Sequence, residues 1–397
     1  MTIEELAATL GEAQRERTPL TIVGGNTLRG MGRPGAPDAR VLSTRALAEV
    51  IEDAPADLTI AVQGGMSLRA LAQRLGAHGT QIPFDAPFAG EATVGGTLAA
   101  GWLGPRRHLY GRPRDFVIGS TIALADGSIA RAGGMVVKNV SGYDMSRLYV
   151  GSFGTLGVLA RVNLKTIAAP ERTRLFTMRL PEYTRTRAIA ALATMRIVPA
   201  AVLWVEGFKQ QIDGEDGAEG RLLAFVECSD AMLERATREL RSALGRAGVP
   251  ETRVVDAGAR EAFERVLDAY VANVGERSIT YRIGGFPDEA EATALEALAL
   301  AQRFELRSDT LLDAMNGDVI LRVSDLDARA LGAKIEMFDD ALHDLRPQAI
   351  VVAGEHPSRA LLQVWGAPPD ALARMRALKE RFDPHGILNP GRFVGGL

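Results

Sequence analysis

The stretch GGMVVKNVSGYDMSRLYVGSFGTLGVLARVNLKTI, residues 133–167, limits what this chain can fold into more than any other part of it. Six glycines fall within its first 25 residues, and an alternating strand follows, with Val158, Ala160, Val162, Leu164 and Thr166 on one side. Glycine disfavours helix and strand alike, and belongs where a backbone turns with positive φ or approaches another group closely. Two upstream segments share the habit. PLTIVGG and DLTIAVQGG are apolar strands that end in Gly24–Gly25 and Gly64–Gly65. After the second, Ser67 is placed to cap a helix whose Leu68, Leu71 and Leu75 align. VIGSTIALADGSIARAGG reads as a hairpin around Asp126–Gly127. Short helices and strands joined by glycine turns make an α+β unit.

That character ends near Ala-Ala-Pro-Glu at 168–171. From about 172 to 345 a strand–helix rhythm runs through two successive sets, the pattern of an α+β layer of the split βαβ, ferredoxin-like type. AIVVAG and ALLQVWG then read as strands, and FDPHGILNPGRF closes the chain. The expected division is a domain over 1–171, with lobes of about 1–65 and 66–171, a second domain over 172–345, and a segment over 346–397 that returns to the first.

Composition excludes several function classes. With 46 lysines and arginines against 49 aspartates and glutamates, the chain lacks the basic excess of a nucleic-acid binder. No apolar run approaches the roughly 20 residues of a membrane span. The N-terminus carries glutamates where a signal peptide carries basic residues, and Thr2 with Glu5 fits a helix capping box, so a cytoplasmic location is expected. Cys228 is the only cysteine, which rules out a disulfide or a four-cysteine iron–sulfur cluster built from this chain alone. His78, His108, His343, His356 and His385 are scattered, and no metal site is expected.

The glycine turns invite two readings. GSFGTLG at 151–157 precedes a strand, whereas a Rossmann loop follows one, and GGNTLRGMG at 24–32 lacks the Gly-Lys-Ser/Thr of a Walker loop. IPFDAPFAGEATVGGTLAAGWLGPRRHLYG adds Pro83, Asp85, Thr93, Gly95, Gly96 and Ala99. Small residues there serve either tight helix packing or close approach by a flat or anionic ligand.

Taken in order, VVGGNT, IPFDAP, ATVGGTLAAGWLGPRR, the Asp-Gly hairpin, VVKNVSGYDMSRLYVGSFGTLGV and FDPHGILNPGRF resemble the flavin-linked oxidases of the vanillyl-alcohol oxidase/PCMH superfamily. Within it they are most similar to the FAD-binding E subunits of bacterial glycolate oxidases. The resemblance covers about residues 18–170 and the last 20. It implies a PCMH-type two-lobed FAD domain followed by an α+β cap. By analogy, Gly24, Gly25, Asn26 and Thr27 would cradle the pyrophosphate. Thr93, Gly95, Gly96 and Ala99 would hold the ribityl and phosphate side, led in by Pro83 and Asp85. Gly154, Thr155, Gly157 and Val158 would present backbone to the adenine or isoalloxazine end, and a Cβ at Gly95 or Gly157 would collide with the cofactor. The implied partners are a larger catalytic FAD subunit and an iron–sulfur subunit, through which the complex would reach the inner membrane, and the implied substrate is a small 2-hydroxy acid such as glycolate.

The chemistry itself is less visible. Oxidising a 2-hydroxy acid needs a cation for its carboxylate and a base for its hydroxyl proton. Arg106, Arg107, Arg112, Lys138, Arg147 and Arg392 are available cations, and Lys138, Tyr143, His356 and Arg392 are the candidate catalytic residues. The histidine-rich motif of related hydroxy-acid dehydrogenases has no counterpart; Glu355–His356 reads better as a polar turn. Three functions follow from this: an FAD subunit dependent on partners, a self-sufficient FAD-dependent dehydrogenase, or a scaffold that keeps the fold without flavin. Covalently flavinylated relatives carry a histidine where Asn26 stands, and a carboxamide cannot bond to the flavin. Denaturing precipitation should therefore leave flavin in the supernatant, and flavin colour retained in the pellet would contradict it.

Overall fold

The computed structural model describes residues 1–135, 144–180, 182–208, 220–249, 252–272 and 275–397. They form two units, 1–103 with 112–169 and 368–397, and 104–111 with 170–367. Among the described residues, no helix is long and apolar enough to cross a membrane.

In the first unit, Thr2 and Glu5 form the expected capping box and start the helix Ile3–Glu16. That helix lays Leu6, Leu10 and Ala13 against Leu20, Leu47, Val158 and Ala160. The strands are β1 (Leu20–Val23), β2 (Arg40–Ser43), β3 (Val50–Ala54), β4 (Thr59–Gln63), β5 (Thr80–Gln81), β6 (Val117–Ala123), β7 (Ile129–Gly133), β8 (Val158–Lys165) and β9 (Ile167–Ala168). β1 and β2 pair in parallel, and β3-β4-β8-β6-β7 form an antiparallel sheet. β8 is its central strand, with only Arg161 and Lys165 reaching partly into solvent. β6 and β7 turn at Gly127, whose φ of +84° suits glycine. The lobe boundary expected near 65 does not hold, because β4 pairs along its length with β8.

The second unit adds β10 (Arg172–Arg179), β11 (Ala201–Glu206), β12 (Arg221–Cys228), β13 (Arg253–Val255), β14 (Ser278–Ile283), β15 (Arg307–Asp313), β16 (Asp318–Ser324) and β17 (Ile350–Gly354). Their order in one antiparallel sheet is β13-β10-β12-β11-β15-β16-β14-β17. It consists of two β-α-β-β-α-β halves, with helices 182–193 and 230–246 in one and 290–303 and 328–345 in the other. Each half orders its strands fourth-first-third-second, and the halves meet edge to edge where β11 pairs with β15. Phe176, Trp204, Leu222, Tyr281 and Phe338 anchor the core between sheet and helices.

Two boundaries differ from expectation. The chain returns to the first unit at 368 rather than 346, because β17 pairs with β14. ALLQVWG forms no strand; Val351 N–H donates to Val364 O as an isolated bond. The segment 104–111, expected within the FAD domain, belongs to the second unit instead.

Ion pairs hold that segment there. Arg106 Nη1 donates to both carboxylate oxygens of Glu227 at 3.0 and 3.1 Å, and Tyr110 Oη donates to the same group at 2.9 Å. Burial opposes the Glu227 charge, but Arg106 and Arg260 outweigh it and hold its pKa below the ordinary value. Arg107 lies 3.0 Å from Asp318 and 3.6 Å from Asp313. Asn316 Nδ2 joins Asp313 to Pro105 O. Burial, offset in part by Arg107, pushes the Asp313 carboxyl up to about 7. A folded pKa raised above the unfolded value near 4 means that Asp313's contribution to stability is full below that pH and is lost as pH rises through about 7. In urea melts, Asp313→Asn should therefore gain on wild type by up to about 1.4 kcal/mol per pH unit across that window. A pH-independent difference would contradict this assignment.

Candidate functional site

Three turns of the first unit converge on one open cleft. The first follows β1. Arg45 donates through Nε to Gly24 O at 3.2 Å and through Nη2 to Gly25 O at 3.1 Å. Asn26 then takes the left-handed conformation, at φ +58°, which asparagine tolerates better than most residues. The second is the start of the helix Val94–Ala100, where Thr93 Oγ1 accepts the Gly96 N–H at 3.2 Å. The third is 151–158, tied to that helix by Gly151 N–H to Leu98 O and Phe153 N–H to Ala99 O.

Of the residues nominated from sequence, Gly24, Gly25, Asn26, Thr27, Thr93, Gly95, Gly96, Ala99, Gly154, Gly157 and Val158 line this cleft, and so does Arg392. Pro83, Asp85 and Thr155 are not among its lining residues. Pro83 is buried, and Asp85 is buried with its carbonyl accepting the Trp102 indole N–H at 2.9 Å. Thr155 donates its hydroxyl to Ser152 O at 2.7 Å. Lys138 and Tyr143 lie outside the described residues. His356 is in the second unit; Nδ1 accepts the Ser358 N–H and Nε2 faces Ala328 O at 2.8 Å, so its ring caps a turn. Arg147 pairs with Asp144 at 2.8 Å on the surface.

The glycines that line the cleft also press against the protein's own atoms. A Cβ on Gly24 would stand 2.1 Å from Thr93 Oγ1, and one on Gly25 2.0 Å from Glu91 O. On Gly95 it would meet Gly64 O at 2.9 Å, and on Gly157 it would meet Ile122 Cγ2 at 2.7 Å. These contacts are with the protein itself. Gly25 and Gly95 face backbone carbonyls, Gly24 and Gly157 face the side chains of Thr93 and Ile122, and a Cβ at any of the four is excluded by the protein itself.

The C-terminal segment supplies the residues that sequence reasoning missed. Asn389, at φ +45°, accepts the Ile22 N–H on Oδ1 at 2.8 Å and donates from Nδ2 to Phe153 O at 2.7 Å. It thus joins strand β1, which leads into the first turn, to the third turn. Beneath it, Lys379 donates to Asp383 at 2.5 Å, Thr155 O at 2.8 Å and Leu388 O at 2.9 Å. Burial lowers the Lys379 pKa, with Asp383 opposing. Asp383 also accepts the Ile387 and Leu388 N–H groups. FDPHGILNPGRF stood out as a motif, but spacing alone did not single out Asp383 or Asn389.

Residues 1–133 match the FAD binding domain family, and 365–393 match the C-terminal domain of FAD linked oxidases. The chain carries an FAD-binding domain. Relatives in the FAD linked oxidase family act as oxidoreductases. Glycolate oxidase subunit GlcE of Escherichia coli (strain K12) is 39% identical over 42% of this chain and 47% of its own length, so that match spans about half of either protein. D-lactate dehydrogenase of Archaeoglobus fulgidus is 27% identical over 99% of this chain and 90% of its own length. Glycolate oxidase subunit GlcD of Bacillus subtilis (strain 168) is 25% identical over 98% and 86%. The fold is that of p-cresol methylhydroxylase, with a TM-score of 0.72, 16% identity, and coverage of 98% of this chain and 87% of that one.

Because the cleft depends on the C-terminal clamp, Asn389→Ala and Lys379→Met should each destabilise the protein by about 3 kcal/mol. Urea unfolding measures this, and a change within a few tenths would refute the clamp's role.

Proposed function

We propose that this chain is an FAD-bearing subunit of a complex that oxidises small 2-hydroxy acids, glycolate foremost, together with a larger catalytic flavoprotein subunit and an iron–sulfur subunit. The observation that carries the reading is the cleft's lining. It is rich in backbone and small side chains and includes Arg29 and Arg392, while no aspartate, glutamate or histidine is among its described lining residues.

This lining fits FAD. The turn Gly24–Thr27 and Thr93 would receive the diphosphate and ribityl chain, and Gly96 and Ala99 leave room for a flat ring along the helix. Gly154 and Val158 would close the other side. Bound FAD supplies two-electron redox chemistry. Arg45 holds the Gly24 and Gly25 carbonyls from outside the cleft, which orients the turn before any ligand arrives. Asn389 fixes the spacing between β1 and the third turn. Removing a hydroxyl proton calls for a base. The described lining offers none, so the proton acceptor for the substrate is assigned to the catalytic subunit. The iron–sulfur partner is carried over from the resemblance to glycolate oxidase subunits, and the single Cys228 fits a cluster held by a partner.

A self-sufficient dehydrogenase is the second reading, favoured by the end-to-end similarity to the A. fulgidus D-lactate dehydrogenase. The anaerobic visible spectrum of the purified chain, before and after glycolate or D-lactate, separates the two. An oxidised flavin spectrum that neither acid bleaches is expected. Bleaching by the chain alone would replace the subunit reading with the dehydrogenase, and a folded chain that takes up no FAD would refute both.

A further inference from the structure

Arg392 was nominated from sequence as a cation for substrate, and the structure assigns it a different anion. We infer that Arg392, seated on Phe153, is the positioning residue that recognises the diphosphate of the bound dinucleotide, and that it governs cofactor affinity rather than substrate binding. This inference rests on the FAD reading of the cleft.

Three observations carry it. First, the guanidinium is held from several directions. Its carbon lies 5.6 Å from the centroid of the Phe153 ring, Nη2 donates to Met31 O at 3.2 Å, and Nη1 reaches Arg29 O at 3.5 Å. Arginine stacked on a ring presents a planar fork of donors suited to phosphate oxygens, which a lysine in the same place does not. Second, the platform is built at a conformational cost. Phe153 is a bulky residue at φ +58°, an outlier conformation for its type. Its N–H is tied to Ala99 O, its carbonyl accepts from Asn389, and its ring stacks on Phe393 at 5.9 Å and 16°. Such strain persists where the surroundings over-determine it, and it clusters at ligand clamps. Third, Arg392 and Arg29 both line the cleft, and no carboxylate is among the described lining residues. Two formal positive charges against a backbone-lined turn suit a dianionic diphosphate better than the single charge of a hydroxy acid.

The test is FAD titration of the flavin-stripped full-length protein, followed by quenching of flavin fluorescence, with ADP and riboflavin as competing probes. Arg392→Gln should weaken FAD and ADP by about tenfold and flatten the salt dependence of binding, with riboflavin affinity unchanged. Arg392→Lys should recover part of the loss, and it serves as the reporter if the glutamine variant does not fold. Unchanged FAD affinity in a folded variant would overturn the inference, all the more if the KM for the hydroxy acid in the assembled complex rose instead. Wild-type protein that binds no FAD would refute the cofactor reading itself, which is a separate outcome.

Discussion

The side-chain amide of Asn389 ties the end of the chain to two distant segments that shape the cleft. One amide spans strand β1 and a turn more than a hundred residues away in sequence, accepting the backbone N–H of Ile22 and donating to Phe153 O. Buried backbone groups that lose such a partner are expensive to leave unsatisfied. The amide needs support, and Lys379 and Asp383 give it by closing the tail on itself and on Thr155. The cleft therefore has a floor made by the last residues of the chain, although nearly all of its walls come from the first 160.

Glycine enters this arrangement as a packing residue. Gly24 and Gly25 sit against Thr93 and Glu91, and Gly95 against Gly64, at separations that no side chain could share. The turns approach each other closely, backbone on backbone at Gly25 and Gly95 and backbone on the Thr93 side chain at Gly24. Packing and ligand binding were competing explanations at the level of sequence. In the structure, the protein's own atoms already exclude a Cβ at these positions.

The arginines divide in the same physical way. Arg106 and Arg107 are adjacent in sequence, yet one closes on Glu227 and the other on Asp318, both within the second unit. Their charge is consumed internally, in buried pairs whose desolvation is offset by several hydrogen bonds. Arg392 instead meets carbonyl oxygens and an aromatic ring beside the cleft. Composition counts these residues alike; their surroundings differ.

What the sequence determined by itself was local: the Thr2–Glu5 capping box, the turn at Gly127, the strand from Val158, the strand–helix rhythm after 172, and the glycine turns around the cleft. Each depends on neighbours within a few residues, where propensity and periodicity act. Tertiary structure decided the rest. It moved 104–111 into the second unit through ion pairs with partners more than a hundred residues away, and returned the tail at 368 because β17 completes a distant sheet. It turned His356 into a cap and Asn389 into a clamp. These outcomes follow from burial and hydrogen-bond satisfaction across the fold, and no window of sequence contains both partners.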